Sequence, residues 1–274
     1  MFEVTFWGVR GSIPCCGPQY NEYGGHTCCV GVRLDDAFII LDAGTGILPL
    51  GEWVTAQKIS KASLLLSHVH FDHIIGLPFF APLWNPDFSL DIFASHLIDE
   101  GGIEAFFRKN ITHPLFPGSL IDMARADLTL HDVVAGDSID NVPGLKIYTQ
   151  ALNHPGGATG YRLEAGEKSL CYITDTEHMI GHHDVKLLDF IQGTDCLIYD
   201  AMYTSTQHKE KIGWGHSTWQ EAAYLAQNAD VKQLVLYHHN HAHTDEMMRE
   251  IEGQLKEVFA QGVVAKQGMK IELE

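Results

Sequence analysis

Basic residues are scarce in this sequence. Its 274 residues include 18 Lys and Arg against 35 Asp and Glu, which gives a formal net charge of −17. Proteins that bind long nucleic acids usually present a basic face, so a long RNA or DNA partner is not expected. A local positive site, such as a bound metal ion, is still compatible with this charge and would hold an anion.

Long apolar runs are also absent. The sequence has no run of about 18 apolar residues, so it predicts no membrane span. The N-terminal segment MFEVTFWGVRGS lacks a basic region followed by an apolar stretch, so we expect no signal peptide and a cytoplasmic location. Apolar residues still make up 45% of the chain, enough for a substantial core in one large domain or two small ones.

Cysteine is limited to six residues, and they include two adjacent pairs: Cys15, Cys16, Cys28, Cys29, Cys171 and Cys196. In a cytoplasmic chain such residues are expected to be free thiols rather than disulfides. Zinc sites prefer paired cysteines separated by two or more residues, so the adjacent pairs do not favour an all-cysteine zinc site. We therefore expect buried or half-buried thiols.

Short β-like runs recur along the chain. An opening antiparallel group is predicted at 2–8, 29–34 and 37–44, with a turn at 35–36. Further strands are predicted at 63–68, 90–94, 146–154, 159–166, 169–175, 196–201 and 233–239, with a hairpin turn in EAGEKS. A helix is predicted at 217–229, starting from a capping box of Ser217 and Gln220. A second helix is predicted at 245–262, ended by Gly262.

The segment 76–132 has a different composition. It is rich in proline and aromatic residues and has weak periodicity. That composition is typical of an insertion or lid over a site, although ordinary surface packing would produce it as well. If it is a lid, we expect Arg108, Lys109 and His113 to meet an anionic substrate and Phe116 to stack on a base.

Several apolar strands end at a residue that commonly binds metals. LLLS precedes His68, CYIT precedes Asp175, CLIY precedes Asp200 and LVLY precedes His238, while YTQALN precedes His154 more loosely. Strand ends at one edge of an α/β sheet form the crevice in which ligands bind. Five such ends are hard to explain by coincidence, so we expect them to converge.

The segment SHVHFDH crowds four of these residue types into one turn. His68 and His70 are two residues apart, so they point the same way from an extended strand end. The chain then turns, and Asp72 and His73 face a second point. Imidazoles and carboxylates suit zinc, manganese or iron. Four ligands in one turn are too many for a single open catalytic metal, so the segment predicts two.

This H-x-H-x-D-H segment, with its downstream His, Asp and His, resembles the metallo-β-lactamase superfamily. FWGVRGSIP, YGGHT, LDAGTG, LNHPGGATGYRLE, YITDTE and GWGHSTWQEA resemble its phosphodiesterase branch, which includes ribonuclease Z-like and cyclic-nucleotide-hydrolysing proteins. The similarity covers nearly the whole chain. It implies an α/β fold, a four-layer αββα sandwich, in a single domain at 1–274 with the lid or insertion at 76–132. It also implies a homodimer.

The resemblance implies a ligand set. Metal one would be held by His68, His70 and His154, and metal two by Asp72, His73 and His238. Asp175 would bridge the two metals, together with a hydroxide. His239 is the alternative to His238, and His241 and His243 would face solvent or lie behind the ligands. Zinc is the first expectation for both metals, with manganese or iron as alternatives.

The expected catalytic residues are Asp72, Asp200 and His216. By resemblance to ribonuclease Z-like enzymes, Asp200 and His216 would form a pair near the leaving group. A carboxylate that orients an imidazole helps it to stabilise a phosphoryl oxygen or to protonate a departing one. Asp42 is expected to fix a ligand imidazole. Arg10 would contact a substrate phosphate or a nearby carboxylate.

The expected activity is therefore hydrolysis of a small anionic phosphodiester, such as a cyclic nucleotide, by a metal-bound hydroxide. One alternative is an RNA endonuclease of ribonuclease Z type. A second is a lactone, thioester or lactam hydrolase on the same metals. A third is a metal-binding module without catalysis or an iron redox protein. The complete ligand set argues against loss of the metal, and iron redox relatives usually carry an electron-carrier domain for which this chain has no room.

Overall fold

A computed structural model describes residues 2–35, 37–140, 142–182 and 184–273. These residues form fourteen strands: β1 (Phe2–Gly8), β2 (Cys29–Leu34), β3 (Ala37–Leu41), β4 (Lys61–Leu65), β5 (Ser89–Ala94), β6 (Asp127–Asp132), β7 (Ser138–Ile139), β8 (Lys146–Leu152), β9 (Ala158–Ala165), β10 (Lys168–Ile173), β11 (Cys196–Asp200), β12 (Gln233–Tyr237), β13 (Gly262–Val264) and β14 (Lys270–Glu272).

The same residues form eight α-helices: α1 (Ile47–Ala56), α2 (Phe71–Ile74), α3 (Gly102–Asn110), α4 (Leu120–Met123), α5 (Val185–Ile191), α6 (Ser205–His208), α7 (Trp219–Asn228) and α8 (Asp245–Val258). Short 3₁₀ helices lie at Pro18–Tyr20, Leu77–Phe79, Ala81–Trp84 and Ile98–Glu100. None of the helices in the described parts of the chain has the length and apolar character needed to cross a membrane.

The strands build two seven-stranded sheets. The first has the order β14-β1-β2-β3-β4-β5-β6, and the second has the order β13-β12-β11-β10-β9-β8-β7. Neighbours from β3 to β6 and from β10 to β13 are parallel, and the remaining neighbours are antiparallel. Because the carboxyl ends of parallel strands meet at one edge, each sheet brings several loops together there.

Three apolar clusters separate the layers. The cluster between the sheets contains Val4 and Phe6 of β1 together with Leu163 and Ile198 of the second sheet. A second cluster joins the outer face of the second sheet to α5, α7 and α8, and a third joins the outer face of the first sheet to α1 and α3. Alternating strand residues supply both faces of each sheet. The expected four-layer αββα sandwich is confirmed.

The predicted strands exist, but several end earlier than expected. The runs at 63–68, 146–154, 169–175 and 233–239 stop two or three residues short, at Leu65, Leu152, Ile173 and Tyr237. Asp175 and His238 have φ angles of 54° and 59°, so they leave the extended conformation and end the ladder. The antiparallel opening group and the hairpin in EAGEKS are confirmed. Of the predicted turn at 35–36, Asp36 lies outside the described residues.

Both helix boundaries from the sequence need correction. The cap of α7 is Thr218, whose side chain accepts a hydrogen bond from the Glu221 amide. Ser217 does not cap the helix, because its hydroxyl pairs with His178 Nδ1 at 2.8 Å. The last helix, α8, ends at Val258, and Gly262 begins β13 instead of ending the helix.

The segment 76–132 supplies part of the first sheet. Its two strands, β5 and β6, extend the parallel half of that sheet. Between them, α3, α4 and the connecting loop lie outside the sheet, and Phe106, Asn110 and Leu115 line a cavity beside the H-x-H-x-D-H segment. The action of this part as a lid stays a prediction, as does the single domain at 1–274.

Candidate metal centre

The H-x-H-x-D-H segment lies at the carboxyl end of β4. The chain leaves the strand after Leu65, and His70 is the residue before the short helix α2, which carries Asp72 and His73. The side chains of His68, Asp72 and His73 are buried, whereas His70 is exposed. This strand-to-helix turn therefore divides the ligand-type side chains between two points, as the spacing predicts.

His68, His70 and His154 form the first cluster. Each offers a ring nitrogen, and these nitrogens lie within 4.8 Å of one another. His154 Nε2 lies 3.1 Å from His70 Nδ1. The other ring nitrogen of His154, Nδ1, donates to the Gly215 carbonyl at 2.8 Å. A carbonyl only accepts, so Nδ1 carries the proton and the His154 Nε2 lone pair is free.

Asp72, His73 and His238 form the second cluster. His73 Nε2 lies 3.3 Å from His238 Nε2, and Asp72 Oδ2 lies 3.3 Å from the first nitrogen and 3.2 Å from the second. His73 Nδ1 is 2.8 Å from Asp42 Oδ2, which again leaves the Nε2 lone pair free. The side chains of His238 and His239 lie on different sides of the chain. His239 Nε2 donates to the Ala265 carbonyl at 2.8 Å, away from the cluster.

The carboxylate of Asp175 lies between the two clusters. Its Oδ1 is 3.7 Å from His68 Nε2 and 4.0 Å from His154 Nε2. Its Oδ2 is 3.2 Å from His73 Nε2 and 3.3 Å from His238 Nε2. One oxygen therefore faces each cluster, which is the arrangement needed to bridge two cations.

The donor set fits divalent cations. Two nitrogens bound to one tetrahedral zinc stand roughly 3.3 Å apart, close to the separations within both clusters. His68 Nε2 is buried and has no hydrogen-bond partner within the described ranges. A buried polar atom without a partner is costly, and a cation on its lone pair would remove that cost. Imidazoles with carboxylates suit zinc, manganese or iron.

The imidazoles of the two clusters differ in their electrostatics. Burial lowers the pKa of His68 well below its usual value, and it lowers that of His154 as well. Neutral imidazoles keep the lone pairs that metal binding requires. Despite burial, Cys28 and Asp175 raise the pKa of His73 well above its usual value, and Asp175 does the same for His238, so these rings would release a proton when a cation binds. Burial would raise the pKa of Asp175, but the imidazoles of His238, His73 and His68 hold it well below its usual range, so the carboxylate between the clusters is ionised.

Asp42 orients this centre from behind. Its Oδ2 accepts hydrogen bonds from His73 Nδ1, the Ser67 hydroxyl and the Tyr172 hydroxyl, at 2.7–2.8 Å. Its Oδ1 accepts the Ser67 amide at 2.7 Å. Asp42 thus fixes the imidazole of His73, as expected from its place in LDAGTG. Partners of this kind orient metal ligands and raise their basicity.

Three side chains of the centre stand on left-handed backbone. Asp42, Asp175 and His238 have φ angles of 61°, 54° and 59°. Each such non-glycine residue costs about 1–3 kcal/mol and persists where its surroundings hold it. At His238 the surroundings include Gly11, where an added Cβ would lie 2.3 Å from the ring. This strain indicates a site selected for the position of its side chains.

Asp200 and His216 form a pair beside the clusters. Asp200 Oδ2 lies 2.9 Å from His216 Nδ1, and Asp175 Oδ1 lies 3.6 Å from the same nitrogen. Asp200 Oδ1 accepts the Met202 amide at 2.9 Å, which orients the carboxylate. The two residues predicted to act together are therefore in direct contact, and His216 lines the cavity next to Asp72.

That cavity has a volume of about 480 Å³. The described residues that line it include no Lys or Arg. They are Ser12, Val69, His70, Phe71, Asp72, Phe106, Asn110, Leu115, Asp175 and His216. The predicted lid cation Arg108 does not line it, because its guanidinium is bound to Glu104 and Asp122 at 2.7–2.8 Å. Phe116 packs edge-on against Phe79. Contacts of Arg108, Lys109, His113 and Phe116 with a substrate stay a prediction.

Arg10 makes neither of the expected contacts. It is buried and donates to the backbone carbonyls of Gly24, Asn240 and His243, and within the described ranges it contacts neither a carboxylate nor the cavity. It holds together the loop that follows His238. Of the two positions expected for His241 and His243, His241 is exposed to solvent, whereas His243 is fully buried and its Nε2 lies 3.0 Å from the Gln207 amide nitrogen.

Sequence analysis did not anticipate two neighbours of the centre. The carboxylate of Glu177 accepts the amides of Gly213 and Gly215 at 2.7–2.9 Å and so holds the loop that precedes His216. The sulfur of Cys28 lies within 4.8 Å of the second cluster. Glu177 is the last residue of the YITDTE motif, and Cys28 directly follows YGGHT. These positions next to recognised motifs are the signals in the sequence that could have indicated a role for the two residues.

Comparison with known proteins identifies the class to which this centre belongs. Residues 38–239 match the family described as the β-lactamase superfamily domain, and the chain belongs to that family. Membership confirms the resemblance to metallo-β-lactamase superfamily hydrolases and the expected enzyme class, a metal-dependent hydrolase.

Two curated relatives are ribonuclease Z proteins. The protein of Thermoplasma volcanium is 26% identical over 89% of this chain and 88% of its own length. The protein of Haloferax volcanii is 24% identical over 99% and 95%. These alignments span most of both chains, so the similarity is not confined to the metal motif.

Solved structures share the fold. The metallo-β-lactamase fold protein YhfI of Bacillus subtilis has a TM-score of 0.75 at 20% identity, covering 99% of both chains. A diphosphatase of the PhnP family has a TM-score of 0.73 at 20% identity, covering 100% of this chain and 98% of its own. The short form of human tRNase Z has a TM-score of 0.69 at 18% identity, covering 99% of both.

Proposed function

We propose that this protein is a dinuclear metal-dependent phosphodiesterase that acts on a small substrate such as a cyclic nucleotide. The main support for this proposal is the position of Asp175. Its two carboxylate oxygens face the two clusters, and it lies next to the Asp200–His216 pair. Two cations that share a carboxylate are a recurrent arrangement for phosphoester hydrolysis.

The proposed ligand assignment follows the clusters. His68, His70 and His154 hold the first cation, Asp72, His73 and His238 hold the second, and Asp175 bridges them. Zinc is the proposed metal, with manganese or iron accepted by the same donors. When bound, the two cations would polarise the phosphoryl oxygens and lower the pKa of a coordinated water enough to supply hydroxide near neutral pH.

The residues of the chain complete the chemistry. Asp200 Oδ2 lies 2.9 Å from His216 Nδ1 and so orients the His216 ring. The role of His216 is to donate a proton to the departing oxygen, which would otherwise leave as an unstable alkoxide. Asp72 Oδ2 accepts a hydrogen bond from the Ser12 amide at 2.7 Å, which fixes the carboxylate at the cavity wall. Its role is to hold the second cation next to the bound phosphate.

The size and lining of the cavity support a small substrate. A volume of about 480 Å³ falls within the usual range for small-ligand sites, about 300–1,000 Å³. The net charge of −17 and the lack of Lys or Arg among its described lining residues disfavour a long RNA backbone. RNA endonuclease activity is the second candidate, because the curated relatives named above are ribonuclease Z proteins.

The first experiment is hydrolysis of bis(p-nitrophenyl) phosphate by the metal-loaded protein, the chelated protein and the Asp72→Ala variant. Asp87→Ala, which removes an exposed carboxylate two residues before β5, is the matched control. We expect turnover in the loaded protein and the control only. Cyclic nucleotides and a precursor tRNA then compete as substrates. No turnover with two metals bound would refute the proposal, and faster cleavage of the tRNA would favour the endonuclease.

A further inference from the structure

The adjacent cysteines at the start of β2 face opposite sides of the first sheet. Cys28 belongs to the apolar cluster between the two sheets, whereas Cys29 belongs to the cluster on the outer face with Ile47 and Leu50. Both thiols are free and fully buried. Alternation along an extended chain produces this difference. The doublet therefore presents one sulfur toward the metal centre and one away from it.

The inward sulfur reaches the second cluster. Cys28 Sγ and one donor atom each from Asp72, His73 and His238 all lie within 4.8 Å of one another. The Cys28 thiol donates a hydrogen bond to the Arg10 carbonyl at 3.4 Å, and a thiol is only a weak donor. Because this hydrogen bond is weak, the sulfur could exchange it for a bond to a cation.

A second observation points to a ligand at this position. The imidazole of His238 is fully buried. Its Nε2 faces Asp72 and Asp175 at 3.2–3.3 Å and lies 3.3 Å from His73 Nε2. Two carboxylate oxygens and two imidazole nitrogens that converge at these distances form a donor set that a shared cation would satisfy.

The two clusters also differ chemically. The first has three imidazoles and no sulfur, whereas the second combines imidazoles, a carboxylate and a thiol. Thiolate donors select soft cations, and imidazoles with carboxylates accept harder ones. A metal-bound cysteine is deprotonated, so the thiol proton is released to solvent when the cation binds. The two positions should therefore rank metals differently.

We propose that Cys28 contributes a thiolate ligand to the cation held by Asp72, His73 and His238, so that this position prefers thiophilic cations. The inference rests on the metal centre of the proposed function but not on its substrate. The occupant would be zinc or a softer divalent ion such as cadmium, whereas the first position lacks this preference. Cys28 lies outside the H-x-H-x-D-H segment, and its sulfur would then distinguish the second metal position from the first.

The test is cadmium titration of the chelated full-length protein, followed by ultraviolet absorption. A thiolate–cadmium bond gives a charge-transfer band that histidine and carboxylate ligands do not give. Cys15 and Cys16 are free thiols that are not buried, so both are replaced by serine in every protein compared. In that background we expect the band with Cys28 and Cys29 present and in Cys29→Ser, and its complete loss in Cys28→Ser. Absence of the band in that background, or its survival in Cys28→Ser, would overturn the proposal.

A second measurement needs no variant. In the zinc-loaded wild type, X-ray absorption at the zinc edge should reveal a sulfur neighbour at about 2.3 Å, the usual zinc–thiolate distance. A spectrum with nitrogen and oxygen neighbours only would refute the proposal even if Cys28→Ser fails to fold. Neither readout involves turnover, so a protein that shows sulfur ligation without hydrolysing phosphodiesters would refute the proposed function alone.

Discussion

Asp200 Oδ2 lies 2.9 Å from His216 Nδ1, and the ring of His216 stacks on that of His238 with 4.9 Å between the centroids. The pair thus touches the metal centre without belonging to either cluster. Because Asp200 and His216 also lie within 4.8 Å of donor atoms of Asp175 and His238, the test of their proton-transfer role includes the metal content.

Replacement of His216 by alanine should lower kcat and leave the metal content unchanged. Positioned acid–base groups contribute about 10²–10⁴-fold to rate. We expect a loss of that size on a cyclic nucleotide, whose departing alkoxide needs a proton. The loss should be much smaller on bis(p-nitrophenyl) phosphate, because p-nitrophenolate leaves without one. Asp200→Asn should show the same pattern in weaker form.

The exposed His241 offers a matched control, since His241→Ala removes an imidazole from the loop after His238 without touching the pair. It should retain activity on both substrates. Equal losses on both substrates in His216→Ala would instead indicate that His216 serves metal or substrate binding.

Asp42→Asn should weaken metal binding. The amide would keep the hydrogen-bonding shape but lose the charge that faces His73 Nδ1 and the Tyr172 hydroxyl. Loss of such partners typically lowers metal affinity about 10–100-fold. Competition with a chromophoric chelator measures this affinity directly. Tyr172→Phe, which removes one hydroxyl and keeps the carboxylate, should lower it far less. Equal affinities for Asp42→Asn and the wild type would contradict this role.

Glu177→Ala should destabilise the first metal position in particular. Glu177 holds the amides of Gly213 and Gly215, and the Gly215 carbonyl in turn accepts His154 Nδ1. A hydrogen bond to a charged group contributes about 1.5–3 kcal/mol. We therefore expect an affinity loss of at least about tenfold at one of the two metal sites. Titration calorimetry of the chelated protein resolves the two sites.

The control for this variant is Glu210→Ala, which removes an exposed carboxylate three residues before Gly213. It should bind both metals as the wild type does. If Glu177→Ala weakened both positions equally, the loop would support the whole centre rather than the ring of His154.

The strand-end residues of the centre could be predicted from the sequence. His68, Asp175, Asp200 and His238 each follow a short apolar run, and runs of this length are too short for a typical buried helix and fit a buried strand. The two-point division of the H-x-H-x-D-H turn also follows from spacing. The resemblance, rather than the pattern, supplied the two-sheet architecture, because pairing between distant strands leaves no local periodicity.

Contacts made by loops could not be predicted in this way. Glu177 reaches amides 36 and 38 residues away, and no residue pattern encodes that contact. The cysteine doublet does not reveal which sulfur faces inward until the register of β2 is known. Ser217 matched a capping pattern, but its hydroxyl pairs with His178, so Thr218 caps the helix. Tertiary contacts decided each of these cases.

Leu115→Lys should strengthen the binding of anionic substrates. The leucine side chain lines the cavity and is 76% exposed, and the described lining includes no Lys or Arg. A new ammonium group near a bound phosphodiester would contribute about 1 kcal/mol in water, which lowers KM roughly fivefold. The gain should vanish at about 1 M salt, where the screening length falls to about 3 Å. Ile98→Lys, at an exposed position outside the cavity lining, should leave KM unchanged. Steady-state kinetics at two salt concentrations measures both variants. A higher KM for Leu115→Lys at low salt would mean that the wall contributes apolar contacts that outweigh the added charge.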